Sequence, residues 1–167
     1  MIVAGQAVLG YGISSRAIGY FGGMNLSHFD IMLPDGSLLG ARSDWIKPLN
    51  GGPSIPPGVQ IRPSNYERWR RQIVFRKMVP DAWAQDFYAR AHAQVDKPYD
   101  STAIWGFATG RDWRDPDKWF CSELWIWLCE QAHLLPLLQW LPVYRIMPGT
   151  AAVASQAGGF DATIIQG

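Results

Sequence analysis

Residues 47–63 hold five prolines and three glycines. No helix or sheet ladder runs through such a stretch. Each proline removes an N–H and fixes φ, and each glycine loses more backbone freedom on ordering than any other residue. The stretch is expected to be a loop with at most a short strand over 59–62. On its N-terminal side, residues 7–11 are a short apolar run that fits a strand. A short helix is expected from Ser14, ended by Gly22-Gly23. Residues 26–33 read as a strand, Pro34-Asp35-Gly36 as a tight turn, and residues 37–42 as the returning strand. On its C-terminal side, residues 72–78 alternate like one more strand. Pro80-Asp81 then opens a helix, with Asp81 as N-cap and 82–95 as the body. Trp83, Phe87, Ala91 and Val95 form its expected buried stripe.

Lys97-Pro98-Tyr99-Asp100 breaks that helix, and residues 106–118 are polar enough to be an exposed loop. Residues 121–133 read as a second helix. Residues 134–148 are apolar but interrupted by Pro136, Pro142 and Pro148. Residues 151–159 are small and carry no pattern, and 160–165 fit a last strand. The order of strands, helix, helix, strand predicts an α+β fold, with a small antiparallel sheet packed against helices, over alternating βαβ units. With 167 residues, one domain spanning 1–167 is expected.

The chain is 48% hydrophobic and 17% charged, so it has ample apolar mass for a core and is not disordered as its main state. A net charge of +1 gives no global field for nucleic acid, and none is expected as a partner. Arg62, Arg68, Arg70, Arg71, Arg76 and Lys77, interleaved with Tyr66, Trp69 and Phe75, read as a solvated, partly aromatic surface. No apolar run approaches the roughly 20 residues of a membrane span. The first residues lack the charged start and apolar stretch of a signal peptide. Two cysteines are too few for a disulfide framework and fit a reducing, cytoplasmic setting. No metal or cofactor fingerprint is present, and Asp112, Asp115 and Asp117 lack calcium-loop spacing.

Two residues carry the candidate chemistry. Cys121 stands at the first turn of the second expected helix, directly after a polar loop. Helix N-terminal N–H groups favour an anion there. That setting biases a thiol toward its reactive form, and the same N–H groups suit a developing oxyanion. Cys129, two turns on within an apolar stretch, reads as core. A nucleophilic thiol needs a base. His92 lies mid-helix, and the helix dipole suffices to explain His133 at a C-terminus. His28 begins a strand on which Phe29, Ile31 and Leu33 face the core, leaving His28, Asp30 and Met32 on the other face.

Ser27-His28-Phe29-Asp30-Ile31, then Lys97-Pro98-Tyr99-Asp100, then Trp119-Phe120-Cys121-Ser122-Glu123-Leu124 resemble, in that order, the NlpC-type papain-like cysteine hydrolases. The likeness is to their circularly permuted, YiiX-like branch, in which the His strand precedes the Cys helix. It covers about residues 5–131. It implies a permuted papain-like fold, a small sheet or partial barrel on helices, and thiolate attack on an amide or ester carbonyl without cofactor or metal. It assigns Cys121 as nucleophile and His28 as base. It places Tyr99 near the thiol, as an oxyanion or substrate contact or simply as a packed ring. Asp100 and Glu123 also match, as capping or structural groups.

One departure concerns the imidazole's far nitrogen. The family holds it with a polar residue on the following strand, and by spacing that residue is Gly40. Ser43, Asp44 or a backbone carbonyl are the substitutes, with Asp44 preferred because a carboxylate also stabilises an imidazolium. The expected function is cleavage of an amide bond in a peptide or peptidoglycan fragment. The alternatives are a lipid acyltransferase or esterase on a lipid-like substrate, and a binding or assembly module that keeps the fold without turnover.

Overall fold

The computed structural model describes residues 1–11, 25–49, 51–101, 117–135 and 146–166. The turn at 34–36 forms as its residue types require. Asp35 Oδ1 accepts from the Ser37 N–H at 2.9 Å and the Ser37 hydroxyl at 2.6 Å, while Gly36 takes the left-handed φ of 85° that glycine adopts without steric cost. This turn joins β2 (His28–Met32) to β3 (Leu38–Arg42). β1 (Ile2–Leu9) pairs with β2 on one side and β5 (Arg71–Met78) on the other. β4 (Gly58–Arg62) closes one edge and β6 (Asp161–Gln166) the other. The order is β4-β3-β2-β1-β5-β6, antiparallel throughout.

Three helices complete the described structure: α1 (Asp81–His92), α2 (Cys121–Gln131) and α3 (Pro148–Ala157). The α+β expectation holds. α2 is buried on nearly every side, as a helix apolar all round must be. Its Trp125 is the hub of the core. The ring stacks on Phe29 at 4.8 Å and meets Phe87 at 5.8 Å and Phe160 at 5.4 Å. Its indole N–H donates to Ser155 Oγ of α3 at 2.8 Å. Burying one such ring stabilises by about 2–3 kcal/mol. As expected, Phe29, Ile31 and Leu33 enter this core.

Several expectations need correction. β1 starts at Ile2, ahead of residue 7. Gly5 masks the strand signal, and it is small because a Cβ there would lie 2.7 Å from the Trp125 ring and 2.9 Å from Phe29. Asp81 is the first residue of α1, with Pro80 as its N-cap, and the Asp81 carboxylate instead takes the N-terminal ammonium at 2.6 Å. The buried stripe of α1 is Ala84, Phe87, Tyr88 and Ala91, and Trp83 is 45% exposed. Steps of four alone drift around a 3.6-residue helix, whereas i, i+3, i+4, i+7 keeps to one face. α3 occupies the stretch read as patternless. Pro148 sits at its start, where a missing N–H costs nothing, and its small residues make room for α2.

The basic segment is solvated only in part: Arg68, Arg70 and Arg76 are exposed, whereas Arg62 and the interleaved rings are not. Arg62, Tyr66 and Trp69 are buried because residues 63–70 fold over the sheet face that carries His28 and Asp30, and Phe75 is buried on the opposite face, in the core against Phe29. On the His28 face Tyr66 and Trp69 form a second apolar cluster with Val8, Leu38 and Ile46. α2 ends at Gln131 rather than at residue 133. Leu134 N–H bonds Cys129 O at 2.7 Å and His133 N–H bonds Glu130 O at 3.0 Å, a Schellman closure with His133 in the left-handed region at φ 56°. Among the described residues no helix is long and apolar enough to cross a membrane. The short helix expected from Ser14, the loop over 106–116, and Pro136 and Pro142 lie outside the described residues.

Candidate active site

Cys121 opens α2 because the chain before it is held extended. Phe120 has φ −88° and ψ 150°. One residue earlier, Trp119 N–H bonds Pro98 O at 3.1 Å and Asp100 N–H bonds Trp119 O at 2.9 Å. This bridge brings the Lys97–Asp100 turn alongside the helix start and sets Tyr99 against Phe120, with ring centroids 5.8 Å apart. Glu123 reaches back to the Phe120 N–H at 3.5 Å, one half of a capping box. Ser122 donates to Ile146 O at 2.5 Å. The first N–H groups of any such helix have no acceptor a turn earlier, so the thiol sits beside donors. Cys121 is buried and packs with Phe120 and Tyr99.

His28 is the first residue of β2, opposite Val8 of β1. Its backbone entry is fixed by Ser27, whose N–H bonds Val8 O at 2.8 Å. The imidazole Nε2 lies 2.7 Å from Asp30 Oδ1. Asp30 is wholly buried, and its other oxygen accepts from Gln6 Nε2 at 3.2 Å and from the Tyr66 hydroxyl at 3.0 Å. Gln72 in turn donates to Gln6 Oε1 at 2.8 Å. With Nε2 on Asp30, Nδ1 is the ring nitrogen left for the thiol.

The electrostatics match that geometry. Burial by itself pushes the His28 imidazolium down. Asp30 and Cys121, each through charge and hydrogen bonding, outweigh it and raise His28 from 6.5 to about 9. Burial likewise disfavours the Asp30 carboxylate, but His28, Arg62 and Arg42 hold it well below the usual carboxylate range. Burial pushes the Tyr99 phenol well up, and a Cys121 charge beside it adds to the rise. His28 therefore stands as a cation between a carboxylate and a sulfur at neutral pH.

The structure brings together Cys121, His28 and Tyr99. It does not place Asp44 on the imidazole. Both Asp44 oxygens accept from Arg42, at 2.9 Å each, and the side chain is 54% exposed. Arg42 also bonds Glu67 at 2.6 Å. With Asp30 already on Nε2, no second carboxylate is needed there. Gly40 likewise contributes no side chain to the ring. His92 and His133 are exposed, and Cys129 is fully buried, its thiol pushed well up by desolvation.

Asp30 was within reach of sequence reasoning. Two residues apart on a strand means one face, so an Asp at that spacing from a His is its own signal. Gln6, Tyr66 and Arg62 had no such signal, because they come from distant segments. Among the described residues no cluster of three or more His, Cys, Asp or Glu side chains is arranged to hold a metal ion. No model of a known protein family matches the chain, and no curated protein matches it.

Proposed function

We propose that this chain is a cysteine hydrolase that cleaves an amide bond, in a peptide or peptidoglycan fragment, on a circularly permuted, papain-like domain of the NlpC type. One observation carries the reading: the buried imidazole of His28 is engaged by Cys121 and by the Asp30 carboxylate at once. A nucleophile, a base and a group that orients the base are the parts that covalent acyl transfer needs.

The Cys121 sulfur, its proton held on His28 Nδ1, adds to the carbonyl carbon. N–H groups at the start of α2 stabilise the oxyanion, with the Tyr99 hydroxyl as a second donor beside them. The tetrahedral intermediate collapses as the C–N bond breaks and His28 passes its proton to the departing amine. Neutral His28 then takes a proton from water, whose oxygen adds to the thioester carbonyl; the C–S bond breaks, the carboxylic acid leaves, and the Cys121 sulfur is restored beside protonated His28. Through both steps Asp30 holds the ring and offsets its positive charge. Asp30 supplies the hold on the imidazole that Gly40 cannot, which favours turnover over a non-catalytic module.

The test is hydrolysis of peptide amides, muropeptides and lipid esters by the parent chain, with Cys121→Ala and His28→Ala beside it. Amide cleavage lost in both variants supports the proposal. Cleavage of lipid esters alone moves the function to an esterase or acyltransferase. Turnover that survives Cys121→Ala refutes the mechanism.

A further inference from the structure

The register of β2 and β3 pairs Ile31 with Leu39 and Met32 with Leu38, and one step further it sets Asp30 opposite Gly40. Gly40 is not among the glycines with positive φ, so its backbone conformation does not demand glycine. The volume above it does. A Cβ built on Gly40 would run into Asp30 Oδ1 and would lie 3.3 Å from Asp30 Cγ. We propose that Asp30 is the positioning residue for His28 and that Gly40 exists to admit it. The carboxylate is delivered from the histidine's own strand into a space left open by the neighbouring strand. This inference rests on the hydrolase reading for its catalytic meaning, but not for its geometry.

The surroundings are built to keep the carboxylate in that space. Gln6 of β1 and Tyr66 of the covering segment take Oδ2. Arg62 of β4 donates to Gly40 O at 2.7 Å and to Gly58 O at 3.2 Å, which pins β3 at the glycine and brings a buried cation close to Asp30. A two-residue step along one strand is about 6.6 Å, a span that the Asp and His side chains together bridge with a 2.7 Å contact. From the opposite strand, a side chain at position 40 would start almost on top of the Oδ1 site. Either strand can therefore supply the carboxylate, but both cannot at once.

The experiment compares the parent, Asp30→Asn, Asp30→Gly, Gly40→Asp and the double change Asp30→Gly/Gly40→Asp. Two readouts are used: NMR titration of the His28 ring, and the pH profile of Cys121 alkylation by iodoacetamide. Circular dichroism checks the fold of each variant. The charged and titratable groups near the ring are Cys121, Tyr99, Tyr66, Arg42, Arg62 and Asp44, and none of these is altered. Asp30→Asn keeps the shape and removes the charge, so the His28 titration should fall below its parent value and the alkylation profile should move with it. Asp30→Gly should slow Cys121 alkylation at neutral pH by at least about tenfold.

Gly40→Asp alone should lose folded protein or perturb the ring, because two carboxylates meet. The double change should return both readouts to within about threefold of the parent in rate, reflecting a restored third member. A double variant no better than Asp30→Gly overturns the exchange of strands. An unchanged His28 titration in Asp30→Asn overturns Asp30 as the positioning group. If these variants behave as stated while the parent cleaves no substrate tested, the hydrolase reading fails and the positioning inference stands.

Discussion

Replacing His28 with Gln should flatten the dependence of stability on pH between neutrality and pH 10. The imidazolium is favoured in the folded chain because its pKa rises from 6.5 to about 9. At about 1.4 kcal/mol for each pH unit, this rise corresponds to about 3 kcal/mol. The folded pKa lies above the unfolded one, so this stabilisation is fully present below about pH 6.5. It drains away as pH rises through about 9, at close to 1.4 kcal/mol per unit between those limits. The depressed Asp30 carboxylate is the other half of the same ion pair and is not counted again. Cys129 is held protonated by burial and adds a separate loss once its unfolded thiol ionises, above about pH 8.5. The difference between parent and His28→Gln isolates the imidazole from that background. Urea unfolding followed by Trp fluorescence at pH 6, 7, 8, 9 and 10 measures it. Parallel curves for the two proteins across this range, or a His28 ring that titrates near 6.5 by NMR, would refute the charged pairing of His28 with Asp30 and Cys121.

Three further outcomes are expected. Asp44→Ala should leave the Cys121 alkylation rate within about twofold and cost less than about 1 kcal/mol in urea, since the Arg42–Asp44 pair is half in solvent; a tenfold slower thiol would return Asp44 to the imidazole. At limiting iodoacetamide, peptide mapping should find Cys121 modified before Cys129, which is fully buried with its thiol held neutral; the reverse order counts against an activated Cys121. Gly5→Ala should destabilise by about 1–3 kcal/mol, because its Cβ would lie 2.7 Å from Trp125, and an unchanged urea midpoint would mean that α2 does not seat so closely on β1.

What the sequence discloses here depends on whether the cause of a feature is local. The β2–β3 hairpin is legible because its signals are consecutive: an alternating strand, Pro34-Asp35-Gly36, and a second apolar strand. The start of α2 is legible for the same reason, since a polar loop and an apolar helix meet at Cys121. β1 is obscured where Gly5 yields to Trp125, a residue more than a hundred positions away. α3 is obscured because Ala151, Ala152 and Ser155 are small to suit α2 and so show no stripe of their own. The site divides in the same manner. His28 and Cys121 stand out by position, while the clamp on Asp30 comes from Gln6, Tyr66 and Arg62 and exists only once the sheet is assembled. Gly40 has one meaning along the chain and another across the sheet. Read along the chain, it is a missing polar group and argues for a silent site. Read across the sheet, it faces Asp30, and its lack of a side chain is the condition for a carboxylate to stand there. A strand position is a volume shared with its cross-strand neighbour. The chemistry of such a position is therefore a property of the pair, and a glycine in one strand carries functional meaning only when the residue opposite is known.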